Sequence, residues 1–272
     1  MRLTTPKQPV GAPRPPGAPT TTPPPPVDGN RGSLGRAVGS LCSGTTEAAS
    51  DVLDMLTRIG TRGGLTEPEL PVPLPGSRTL PVPLLVVIAV DQSGSTATTD
   101  PNKESEQACL LVCDWLTQHS QNREDGLGLV RFADHAAALP PVRVDRAREA
   151  LEQEFRHGAS VGGGTQLTPA VTQLCQLLPG PRQERRIALL ITDGQVAELG
   201  EQLRTLIGRL RVDADAVYLL ALDHDGAWSS ATHRRYQSLG LTDVIPISRI
   251  SSRRLACAIA NVFAHEAGLT TS

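Results

Sequence analysis

Aromatic side chains are almost missing from this sequence. Two Trp, two Tyr and three Phe make up 3% of its 272 residues, and none precedes Trp115. The first hundred residues therefore differ in kind from the rest, and one folded domain behind a long N-terminal extension is expected. Long apolar runs are missing too. The longest, Leu80 to Val90, spans 11 residues and carries two prolines, whereas a membrane-spanning helix needs about 20 apolar residues. The start, "MRLTTPKQPVGAPRPPGAP", has no apolar stretch of signal-peptide length. These absences lead to the expectation of a cytoplasmic chain that does not engage a membrane. An excess of charge of either sign is missing as well. A formal net charge of −2 gives no global attraction to nucleic acid or to a lipid surface.

Cysteine is sparse and odd in number: Cys42, Cys109, Cys113, Cys175 and Cys257. That pattern fits reduced thiols better than a disulfide framework. Cys109 and Cys113 share a helix face at a spacing of four. Without a second Cys or His pair at ligand spacing they read as small core residues, not as half of a zinc site.

Residues 1–36 are dominated by Pro, Gly and Thr, as in "RPPGAPTTTPPPPVDGNRGSLGR". Such a segment buries too little apolar surface to offset its ordering entropy and reads as disordered. Residues 37–83 hold one short helix at 46–59, with Thr45 or Thr46 as cap and a stripe of Val52, Leu53, Leu56 and Ile59. A proline-punctuated linker follows, at 65–83.

From Leu84 the pattern alternates. Strands are expected at 84–90, 126–133, 186–192, 215–222 and 243–247, with a poorer one at 135–144 whose Pro140 and Pro141 confine it to a sheet edge. Helices are expected at 103–119, 145–156 (capped by Asp145), 168–178 (Thr168 as cap, Pro169 at the first position), 196–210, 228–240 and 253–267. Strands alternating with helices of this length specify an α/β domain over 84–267 with a mainly parallel sheet.

Ligands of open α/β sheets bind at the carboxyl ends of strands. Here "VVIAVDQSGS" ends a strand in Asp91, Ser93 and Ser95, and "IALLITDGQ" ends another in Asp193. Between them, "VGGGTQLTPA" places Thr165 after three glycines and just before a helix. A nucleophile elbow would need Gly-x-Ser-x-Gly, and no His stands at an obvious strand end except His224. A Walker A loop would need Gly-Lys-Ser/Thr. Aspartyl phosphotransfer uses an Asp at a strand end, but the second Asp expected two residues on is Ser93. Those readings are weakened without being eliminated. A metal site fits better: two carboxylates and three hydroxyls are hard oxygen donors, and weak neutral hydroxyls suit Mg²⁺, which keeps waters and leaves room for an outside oxygen.

"VVIAVDQSGS", "GLGLVRFADHA", "VGGGTQLTPAV" and "IALLITDGQ", in this order, resemble the von Willebrand factor type A (vWA) family over residues 84–265. The resemblance implies a Rossmann-like fold with a six-stranded sheet of order 3-2-1-4-5-6 and one antiparallel edge strand. It also implies a complete metal-ion-dependent adhesion site (MIDAS) for Mg²⁺ or Mn²⁺. Ser93 and Ser95 would be direct ligands, Thr165 a direct or water-mediated one, and Asp91 and Asp193 would act mainly through water or hydrogen bonds. Thr96 stands where bacterial members often have Met. The function implied is non-enzymatic: a module that captures a partner carboxylate through the metal. The abundance of Ala, Gly, Pro and Arg with scarce Lys fits a GC-rich bacterial genome. An intracellular bacterial member would work with a MoxR-type or chelatase-type AAA+ ATPase.

Two other function classes stay open at this point. One is a Mg²⁺-dependent phosphoester hydrolase using Asp91. The other is a structural interaction protein with an idle metal site. "LDHDG" (222–226) reads as a solvated loop. "HRR" (233–235) and "SSRR" (251–254) read as solvated helix faces, since no aromatic platform for nucleic acid accompanies them.

Overall fold

The computed structural model describes residues 68–74, 83–120, 122, 124–179, 184–196, 200–223, 228–248, 250–269 and 271. The expected tail at 1–36, the helix at 46–59, most of the linker, and His224 and Asp225 lie outside these residues.

The unbroken apolar run from Leu84 becomes the centre of a six-stranded sheet. There β1 (Leu84–Asp91) pairs in parallel with β2 (Gly126–Phe132) on one side and β4 (Arg185–Thr192) on the other. Beyond β4, the strands β5 (Ala216–Asp223) and β6 (Asp243–Ser248) continue the parallel array. At the opposite edge β3 (Ala136–Arg143) runs antiparallel to β2. The order is β3-β2-β1-β4-β5-β6, as expected. Within the sheet, prolines fall only on the two edge strands: Pro140 and Pro141 in β3, at a register shift opposite Gly128, and Pro246 in β6. There a missing N–H breaks no interior ladder.

Side chains alternate across β1 between two cores. Val86, Ile88 and Val90 pack on one face with α2 (Glu104–His119), α3 (Val144–His157) and α7 (Ser252–Glu266). Val87 and Ala89 pack on the other with α4 (Leu167–Leu177), α5 (Glu201–Asp213) and α6 (Ser230–Gln237). Each fully buried Val, Ile or Leu contributes about 1.5–3 kcal/mol. A strand covered on both faces therefore has no polar position to spare until it leaves the sheet at Asp91.

Several boundaries move for local reasons. The helix expected from 196 begins at Glu201, because extended Gly200 is its N-cap. Thr168 and Asp145 are not caps; each lies in the first turn of a helix that starts one residue earlier. Ser229 and Ser251 do cap, accepting from Thr232 N–H and Arg254 N–H. A single helical turn, α1 (Thr96–Thr99), was not expected. The linker stretch 68–74 is fastened to the domain: Trp115 Nε1–H donates to Pro71 O at 2.6 Å, and Arg253 Nε–H to Pro68 O at 3.0 Å. The four described cysteines are buried and free, with Cys109 and Cys113 in the core as expected.

Candidate metal centre

Three loops meet at the carboxyl ends of β1 and β4. Asp91 is only 4% exposed. Its Oδ1 accepts from Ser93 N–H at 2.9 Å, and its Oδ2 from the Thr192 hydroxyl at 2.7 Å. The ends of β1 and β4 are thereby tied together. Burial pushes the Asp91 carboxyl up to about 6, against the pull of the Thr192 and Ser93 hydrogen bonds and with a further push from Asp193.

Ser93 Oγ lies 2.9 Å from Ser95 Oγ, which lies 3.3 Å from Thr165 Oγ1. Three hydroxyls from two loops thus form one contiguous row. The turn carrying the serines is held by the Thr96 hydroxyl, which donates to Ser93 O at 2.6 Å. Gly94 N–H donates to Gly163 O at 2.8 Å and draws the glycine loop against it. Asp193 accepts from Gln195 N–H at 3.0 Å and from the Thr99 hydroxyl at 3.5 Å. The five residues singled out in the sequence are gathered in one neighbourhood. Among the described residues no cluster of three or more His, Cys, Asp or Glu could hold a metal; the donors here are mostly hydroxyls.

Residues that the sequence did not single out complete the site. Thr192, one residue before Asp193, bonds Asp91 across 101 positions of chain. Gly194 has φ of +75°, and a Cβ there would stand 2.4 Å from the Trp228 ring. Trp228 leans on Tyr236, with centroids 5.2 Å apart, and Tyr236 donates to Gly194 O at 2.9 Å. This aromatic pair clamps the turn after Asp193. Only Thr192 left a signal in sequence, as the hydroxyl closing an apolar strand.

A cavity of about 320 Å³ opens beside Asp91 and Ser93, and Lys103 and Arg131 also line it. Both cations are neutralised. Lys103 Nζ is 3.2 Å from Glu106, and Arg131 is 2.6 Å from Glu154 while donating to Gln92 at 3.0 Å.

Residues 86–195 match the family model described as the von Willebrand factor type A domain. The fold is that of a vWA domain. Among solved structures, the vWA protein from Catenulispora acidiphila is 16% identical, with a TM-score of 0.54 over 67% of this chain and 42% of that one. The pilus adhesin SpaC from Lactobacillus rhamnosus GG is 14% identical, with a TM-score of 0.54 over 71% of this chain and 31% of the other. Proximal thread matrix protein 1 from the mussel byssus is 13% identical, with a TM-score of 0.52 over 68% and 48%. This chain therefore spans less than half the length of each of these three proteins. No curated protein matches it significantly in sequence. Domains of the vWA class often mediate protein interactions. No helix among the described residues is long and apolar enough to cross a membrane.

Proposed function

We propose that Asp91, Ser93, Ser95, Thr165 and Asp193 hold Mg²⁺ or Mn²⁺, and that the domain uses this site to capture a carboxylate of a protein partner. The observation that carries the reading is the row of hydroxyls at 2.9 and 3.3 Å. Neighbouring ligands of an octahedral Mg²⁺ at about 2.0–2.1 Å stand roughly 2.9 Å apart. The spacing and the all-oxygen donor set fit that ion. When bound, it supplies a positive, open position for an outside oxygen ligand. The side chains supply the rest. Ser93, Ser95 and Thr165 offer hydroxyl lone pairs, while Asp91 and Asp193 offer negative charge and fix the turns.

Catalysis is the weaker reading. Both oxygens of Asp91 are already engaged, one by Ser93 N–H and the other by the Thr192 hydroxyl, and a nucleophile would have to give up one of these bonds. The neighbouring cations are paired, Arg131 with Glu154 and Lys103, in an exposed contact, with Glu106. The family resemblance nominates a MoxR-type or chelatase-type AAA+ ATPase in a bacterial cytoplasm as the first partner to test. A pilus adhesin among the structural neighbours makes surface proteins the second.

The test is capture from cytoplasmic and surface fractions with Mg²⁺ or EDTA, alongside a phosphoesterase screen of the same protein. Capture that EDTA, Ser93→Ala or Ser95→Ala abolishes, without turnover, supports the reading. Robust turnover that Asp91→Asn eliminates, or capture indifferent to EDTA and to both serine variants, overturns it.

A further inference from the structure

Asp134 stands outside the five-residue site, on the turn between β2 and β3, yet its carboxylate reaches the glycine run before Thr165. Its Oδ2 accepts from Gly163 N–H at 2.9 Å. The backbone N–H groups of Gly163 and Gly164 hold the carboxyl below its ordinary range although it is open to solvent. A Cβ at Gly162 would lie 2.6 Å from Asp134 Oδ2, and one at Gly164 2.2 Å from Oδ1. Either contact would force the Asp134 carboxylate out of its place. Two of the three glycines therefore make room for this side chain, and Gly162 has in addition a φ of +99°.

Main-chain bonds frame the same loop. His135 N–H donates to Val161 O at 2.9 Å, and Gln166 N–H to Ala133 O at 3.1 Å. Gly163 O accepts from Gly94 N–H of the serine turn. Residues 161–166 are thus fastened to the 133–135 turn on one side and to the serine turn on the other, with Thr165 between them.

From this geometry we infer that Asp134 is a positioning residue for Thr165. Successive N–H groups in a glycine run form a concavity that receives an anion, and here the chain fills it with its own carboxylate. Without it, a loop of three consecutive glycines regains much of its conformational freedom, and Thr165 is no longer held beside Ser95. The consequence for metal binding rests on the capture reading above; the consequence for loop order does not. Groups that orient a metal ligand from outside are worth roughly ten- to a hundred-fold in metal affinity.

The test is a Mn²⁺ titration of the full chain and its Asp134→Ala, Asp134→Asn, Thr165→Ala and Asp134→Ala/Thr165→Ala variants. Amide hydrogen exchange at Gly163 is followed in EDTA. Asp134→Ala should weaken Mn²⁺ binding roughly ten- to a hundred-fold. Asp134→Asn keeps an acceptor oxygen and should recover most of the loss. In the Thr165→Ala background, Asp134→Ala should cost nothing more. Equal Mn²⁺ affinity of wild type and Asp134→Ala, or an equal further loss without the Thr165 hydroxyl, overturns the inference. If the wild type itself binds no Mn²⁺, the capture reading fails and Gly163 decides alone. Faster exchange in Asp134→Ala then supports the tether, and unchanged exchange refutes it.

Discussion

Replacing Gly194 by alanine tests the clamp on the β4 turn. At φ of +75° an L side chain costs about 1–2 kcal/mol. The new Cβ would stand 2.4 Å from the Trp228 ring, so the indole has to move. A displaced indole gives up its tilted contact with Tyr236, worth about 0.5–1.5 kcal/mol. The Tyr236 hydroxyl bond to Gly194 O is worth a similar amount, about 0.5–1.5 kcal/mol net. Together these give a loss of roughly 2–5 kcal/mol. Gly208 is the internal control. It lies in the interior of α5, and a methyl group added there would meet nothing within 4 Å among the described residues. Gly208→Ala should therefore stabilise by about 0.5–1 kcal/mol. Urea unfolding followed by far-ultraviolet circular dichroism reads both variants on one scale. A Gly194→Ala protein within 1 kcal/mol (roughly the error of such comparisons) of wild type, or two variants that shift the same way, would refute the clamp.

Thr192→Val keeps the shape but deletes the hydroxyl bond to Asp91. A loss of about 1–3 kcal/mol in metal-free unfolding is expected, and an unchanged midpoint would mean that this bond holds nothing. Asp243 is buried, its Oδ2 meets no hydrogen-bond partner among the described residues, and burial raises its pKa against smaller pulls from Val244 N–H and His233. A raised folded pKa means a contribution that is fully present below the ordinary carboxyl range and lost as pH rises through the folded value. Asp243→Asn should therefore gain stability over wild type at pH 7, and the gap should close towards pH 4. A constant gap across that range would contradict the assignment.

Periodicity carried most of the fold. The run Leu84–Val90 has no polar interruption because two helical layers cover it, and such a run is legible without coordinates. Helix starts were less legible. Thr168 and Asp145 have the chemistry of caps but sit inside their helices, while Ser229 and Ser251 cap unannounced. Several residues can cap, and tertiary packing chooses among them. The site divides the same way. Asp91, Ser93, Ser95, Thr165 and Asp193 announced themselves through donor chemistry at strand ends and after glycines. Thr192, Asp134, Trp228 and Tyr236 act across 29 to 101 positions of chain, and apart from the Thr192 hydroxyl that closes an apolar strand nothing local in the sequence marks them.

The prolines on the two outermost strands have a consequence for how anything attaches to this domain. A border strand normally exposes a ladder of donors and acceptors that a foreign strand can copy. Proline carries no N–H to offer as a rung, and Pro140 and Pro141 lie in one border strand and Pro246 in the other. Border prolines disfavour an added strand on either side, and equally two copies meeting side by side. Association is thereby steered from main-chain zippering, which reads little sequence, towards side chains on the turns, which read much more.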